Sequence, residues 1–162
     1  MRLRAAGLAI FIAGTMVASA LAGSWKYELD ERSHSILTYS ENNKVTFFLA
    51  CGHVFALHVK YPGEAKTDGD ASIVVTSGRQ SMTLKGFFEE PPEDLATTFG
   101  QYDLGYARQD PALYGKTWEK LRDRLLDLLD SGRKLTISAG KDSYTLPSIE
   151  AKGWRKALGE CG

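Results

Sequence analysis

The chain has 162 residues, 43% hydrophobic and 25% charged, with 20 Lys and Arg balanced by 20 Asp and Glu. That length suits one domain with a sizeable core. Charge this evenly balanced gives no overall electrostatic footprint for nucleic acid or an anionic membrane.

The first segment reads as a leader rather than as fold. Met1-Arg-Leu-Arg4 precedes an uncharged apolar run, Ala5 to Val17, and then Ala18-Ser-Ala20 and Ala20-Leu-Ala22 as cleavage sites. This is the layout of a secretory signal peptide. The alternative is an uncleaved anchor, for which the run is short and rich in Ala and Gly. No cysteine directly follows it to carry a lipid. The expectation is therefore a signal peptide over 1–22, with cleavage between Ala20 and Ala22, and a single β-rich domain over 23–162. Cleavage after Ala22 leaves 140 of the 162 residues, with 18 basic against 20 acidic and a net charge near −2. No later stretch is apolar enough to span a bilayer, so the expected location is periplasmic or secreted.

Ser24 to Asp30 alternates, with Trp25, Tyr27 and Leu29 on one face, and predicts a half-buried first strand. Ser35 to Tyr39 is a second short strand, and Glu41-Asn-Asn-Lys44 has turn chemistry. Val45 to Lys60 is the densest β-branched and aromatic run in the chain. Its odd positions Val45, Phe47, Leu49, Cys51, Phe55, Leu57 and Val59 are apolar, as one face of a strand requires. Sixteen residues exceed a normal strand of about 5–6. We therefore expect two central strands, 45–51 and 54–60, turning near Gly52, with Cys51 pointing into the core. Tyr61-Pro-Gly-Glu64 closes the run. Ala71 to Thr76, Ser77-Gly78 and Arg79 to Phe88 form a hairpin. Six strands with no helix between them argue for antiparallel sheet.

Glu89 to Lys116 breaks this pattern. Leu95, Phe99, Tyr102 and Tyr106 have helical spacing, which Gly100 and Gly105 interrupt. Tyr114, Trp118, Leu121, Leu125, Leu128 and Leu129 share one helical face over 118–129, with Asp110-Pro111 as an earlier start. Ser131-Gly132 supplies the stop. Lys134 to Ala139 and Tyr144 to Leu146 are returning strands, and Pro147-Ser148 opens a short closing helix. Ala151, Trp154, Leu158 and Cys161 form its stripe. The class is α+β, mainly antiparallel and sandwich-like, with one amphipathic helix and a short C-terminal one.

Both cysteines, Cys51 and Cys161, lie beyond the leader. An even count in an oxidising compartment reads as a disulfide, and the closing helix aims Cys161 toward the central strands. Other chemistry is thinly supplied. Cys51-Gly-His53 offers a thiol and an imidazole on one face, but no further Cys/His cluster completes a metal set. Glu89, Glu90, Glu93 and Asp94 contain carboxylates in number, without calcium-loop spacing and with two prolines among them. The Ser-Gly pairs at 77 and 131 lack the glycine pattern of a nucleophile elbow. There is no phosphate loop or dinucleotide fingerprint, and no cofactor is expected. Phe99, Tyr102, Tyr106 and Tyr114 are the candidate partner-binding residues, because tyrosine is enriched at interfaces. The alternative is that these rings cover the open face of the sheet.

Trp25, the strand ending in Cys51, the Ser77-Gly78 hairpin, Leu125 to Leu129, Ser131-Gly-Arg-Lys-Leu-Thr-Ile137, Tyr144-Thr-Leu-Pro147 and Trp154-Arg-Lys-Ala-Leu158 together resemble exported bacterial proteins of the invasion-associated locus B type. Small exported proteins associated with type VI secretion have a similar layout. The resemblance implies a β-sandwich-like domain with helices and no known active site, and it assigns no functional residues. The sequence departs from the locus B pattern in its few cysteines and its tyrosine-rich insertion. The functional expectation is an exported, non-catalytic binding or envelope-associated protein with a protein partner. The alternatives are a cell-wall or glycan hydrolase acting through the acidic stretch, and a proteinaceous inhibitor or immunity factor.

Overall fold

The computed structural model describes residues 23–52, 55–64, 69–90, 93, 95–101 and 111–160. Residues 1–22, for which a leader is expected, and Cys161 lie outside them. Nine strands form one curled sheet: β1 Ser24–Leu29, β2 Ser35–Glu41, β3 Lys44–Cys51, β4 Phe55–Val59, β5 Asp70–Ser77, β6 Gln80–Phe88, β7 Phe99–Gln101, β8 Leu135–Ala139 and β9 Asp142–Leu146. Their order is β1-β2-β3-β4-β7-β6-β5-β8-β9, every neighbour antiparallel. The described residues also include two helices, α1 Pro111–Leu129 and α2 Trp154–Gly159. The mainly antiparallel α+β class holds, built as one continuous sheet. Among the described residues no helix is long and apolar enough to cross a membrane.

The alternation in the central strands sets the core. Phe47, Leu49, Phe55, Leu57 and Val59 are completely buried. Asn42 and Asn43, both at positive φ, make the two-residue turn between Glu41 and Lys44. Such a turn matches strand twist, and Asn tolerates its left-handed geometry. A bulge at Tyr39/Ser40 sets Thr46 outside the pairing. As a result Thr46 and Phe47, neighbours in sequence, are both buried.

Three expectations need correction. Leu29 is 60% exposed: it pairs with Ser35 at the end of β1, one step beyond the apolar pairs Trp25/Tyr39 and Tyr27/Leu37. The stretch after Glu89 is not helical at Leu95 and Phe99. Leu95 bridges to Val45, the Thr98 amide donates to the Val59 carbonyl, and residues 99–101 enter the sheet between β4 and β6. The last helix begins at Trp154, not at Pro147, because Gly153 turns the chain at φ 83° just before it.

The apolar face of the sheet is capped by the helices. Leu125, Leu126, Leu128 and Leu129 of α1 and Trp154 and Leu158 of α2 are buried in one cluster with the inward strand residues. α2 packs on β2 and on α1, while α1 packs on β5 and β6. Two hydrogen bonds then tie the far end of the sheet back to its first half. The Trp25 indole donates to the Pro147 carbonyl at 3.0 Å, and the Tyr144 hydroxyl of β9 donates to the Lys60 carbonyl at 2.7 Å. Burial first, and the Glu41 carboxylate second, hold the Tyr144 hydroxyl well above the ordinary tyrosine range. A pKa raised on folding contributes stability that is complete below the unfolded value of about 10 and is lost as pH rises above it. Tyr144→Phe is expected to cost about 1 kcal/mol at pH 7. It should also reduce the loss of stability above pH 10, as measured by urea unfolding at both pH values.

Candidate functional site

Of the cysteines and aromatic rings singled out by sequence, Cys51 and Phe99 have side chains among the described residues. Cys51 ends β3, half-buried against the core, and is not a free thiol; Cys161 lies outside the described residues. Phe99 is completely buried in β7, with its ring over Gly86, and is a core residue rather than a contact residue. It sits in a central strand, whose alternate residues face the apolar side. Tyr102 and Tyr106 lie outside the described residues. Tyr114 falls in α1, and its side chain lies outside them too.

The acidic stretch is divided. Glu89 accepts a 2.6 Å hydrogen bond in its pair with His58 Nδ1, while Glu90 and Glu93 are exposed; Asp94 lies outside the described residues. The pair spans β7, and Gly100 makes room for it. A Cβ at Gly100 would come within 2.9 Å of Glu89 Oε2 and 3.0 Å of the Phe87 ring. Phe48 meets His58 edge-on, ring centroids 5.9 Å apart. Imidazole and carboxylate are the orienting half of a catalytic triad. Among the described residues His58 makes no hydrogen bond to a Ser, Thr or Cys side chain that would complete one.

His53 lies outside the described residues. His34 instead packs against Gly52, leaving no space there for a Cβ. Asp30 holds His34 in the β1–β2 loop. Its Oδ1 accepts from the His34 and Arg32 amides at 2.8 Å each, and its Oδ2 pairs with His34 Nδ1 at 2.8 Å. The His34 amide is the main cause of an Asp30 carboxyl held below the usual range. Among the described residues no group of three or more His, Cys, Asp and Glu side chains is placed to hold a metal.

A surface hollow lies elsewhere, where the tip of the β5–β6 hairpin meets the second half of α1. A hollow of about 640 Å³ is lined by Arg79, Gln80 and Ser81 on one side and by Lys120, Asp123, Arg124, Asp127 and Leu128 on the other. Helical spacing puts residues 120, 123, 124 and 127 on one stripe. A second hollow of about 440 Å³ shares Arg79 and Gln80 and adds Ser77, Ser131 and Arg133.

Two copies of one tripeptide build this junction. Ser77-Gly78-Arg79 turns the hairpin and Ser131-Gly132-Arg133 ends α1. Both glycines sit at positive φ, 61° and 69°, which they adopt without a Cβ penalty. The two serine hydroxyls are hydrogen-bonded to one another, which fixes the turns side by side. A Cβ at Gly78 would overlap the Arg133 side chain. The repeated Ser-Gly-Arg was the available sequence signal. Each copy reads alone as a chain-ending turn, and nothing local shows that the two meet.

No protein-family model, curated protein or solved structure matches the chain.

Proposed function

We propose that this protein is an exported, non-catalytic binding module on a curled, sandwich-like sheet, braced by a Cys51–Cys161 disulfide. The cleft between the β5–β6 hairpin and α1 carries the reading. It is a wide, open surface whose walls are fixed by hydrogen bonds rather than by a catalytic constellation. The Glu89 carboxylate, on which a hydrolase reading would draw, is held by His58. The leader pattern of residues 1–22 and the likeness to locus B-type proteins support export to the periplasm or beyond.

The test is a pull-down with the purified protein from cell-envelope extract, followed by titration of whatever is recovered. One protein partner binding at a defined stoichiometry is the expected result. Turnover of a cell-wall or glycan substrate that disappears in Glu89→Gln would contradict the reading and favour the hydrolase.

A further inference from the structure

We infer that the twin Ser-Gly-Arg cleft binds an acidic polypeptide segment of a protein partner. This rests on the binding-module reading and adds to it the location and chemistry of the contact.

The cleft has positive charge left over. Four cationic side chains, Arg79, Lys120, Arg124 and Arg133, line the two hollows. The two carboxylates on the same wall are already engaged from outside it. Asp127 accepts a 2.7 Å bond from Arg155, and Asp123 a 2.9 Å bond from Arg122. Arg124 donates to the Ser81 carbonyl at 2.9 Å and keeps its full charge. No carboxylate among the described residues pairs with Arg79, Lys120 or Arg133. The cleft thus has an uncompensated positive charge in a protein that is neutral overall, and its guanidinium forks suit carboxylates in bidentate geometry.

The same wall selects among anions. A polyphosphate or nucleic-acid backbone brings no N–H donor for the carboxylate oxygens of Asp123 and Asp127. A peptide brings carboxylates for the arginines and amide N–H donors for those two acids. Two hollows meeting at Arg79 and Gln80 give a trough rather than a single-ion pocket, as an extended segment needs.

The experiment is fluorescence anisotropy of labelled octaglutamate with the purified full chain. Octaglutamine and an eight-phosphate polyphosphate serve as comparison ligands. We expect octaglutamate to bind and octaglutamine not to. Binding should weaken as salt rises. Each lost charge-assisted contact should lower affinity about tenfold, in Arg79→Gln and further in Arg79→Gln/Lys120→Gln. Among the described residues neither side chain has an ion-pair partner, so melting should be unchanged. Lys141→Gln, on the exposed β8–β9 turn, should bind like wild type. Absence of binding, affinity undiminished in the double variant, or tighter binding of polyphosphate than of octaglutamate would each overturn the inference. If the pull-down partner binds equally well to Arg79→Gln/Lys120→Gln, the module reading stands and the cleft assignment falls.

Discussion

Reduction of the native protein, or Cys51→Ser, should lower its unfolding free energy by about 4–5 kcal/mol. The proposed bridge to Cys161 would close a loop of about 110 residues, and the chain-entropy account gives that magnitude for a loop of this length. The effect is large because net stability is itself only about 5–15 kcal/mol. Its structural side is local. Cys51 is the last residue of β3, opposite both Ser35 and Phe55, so the bridge would tether the C-terminus beyond α2 to the central strands. Urea unfolding with and without reductant measures it. Equal midpoints would show that the tail adds nothing to the sheet.

Gly86→Ala should cost about 3 kcal/mol, the upper part of the usual range for overpacking. Gly86 pairs with Gln101, and a Cβ on it would overlap the Gly100 carbonyl oxygen and come within 2.7 Å of the Phe99 ring. Neither obstacle is the free end of a flexible chain: one is backbone in a ladder, the other a completely buried ring. Relief requires β7 to move away from β6, which would also loosen the Phe99 packing. Gly140→Ala is the control. Its φ of 57° carries a conformational cost, but nothing lies within 4 Å of the added carbon. That variant should lose only about 1 kcal/mol. Equal losses in the two variants, measured by thermal or urea unfolding, would show that close strand packing is not what Gly86 provides.

These two glycines also show what the sequence could and could not disclose. β2 to β6 are legible because alternation over five or more residues, with Asn-Asn or Ser-Gly between runs, has few other readings. β7 is not, since three residues carry no period, and one of its partners, β4, is distant in sequence. Its Gly100 reads locally as a helix breaker, although what makes glycine fit there is the space taken by Glu89 and Phe87. α1 could be read from its leucine stripe, and its start at Pro111 from a residue suited to a first turn. The cleft was legible only in parts. Ser77-Gly-Arg79 and Ser131-Gly-Arg133 are plain turn signals, but their juxtaposition depends on β5 pairing with β8, a long-range choice that no local pattern encodes. Aromatic content drew attention to Phe99 for the reason that makes it core: large rings are valuable at interfaces and interiors alike.

The account stands or falls on the two sulfurs. Non-reducing peptide mapping of the native protein by mass spectrometry should yield one cross-linked species joining the peptides of Cys51 and Cys161, with neither cysteine alkylated before reductant is added. Recovery of both residues as alkylated, separate peptides would contradict it.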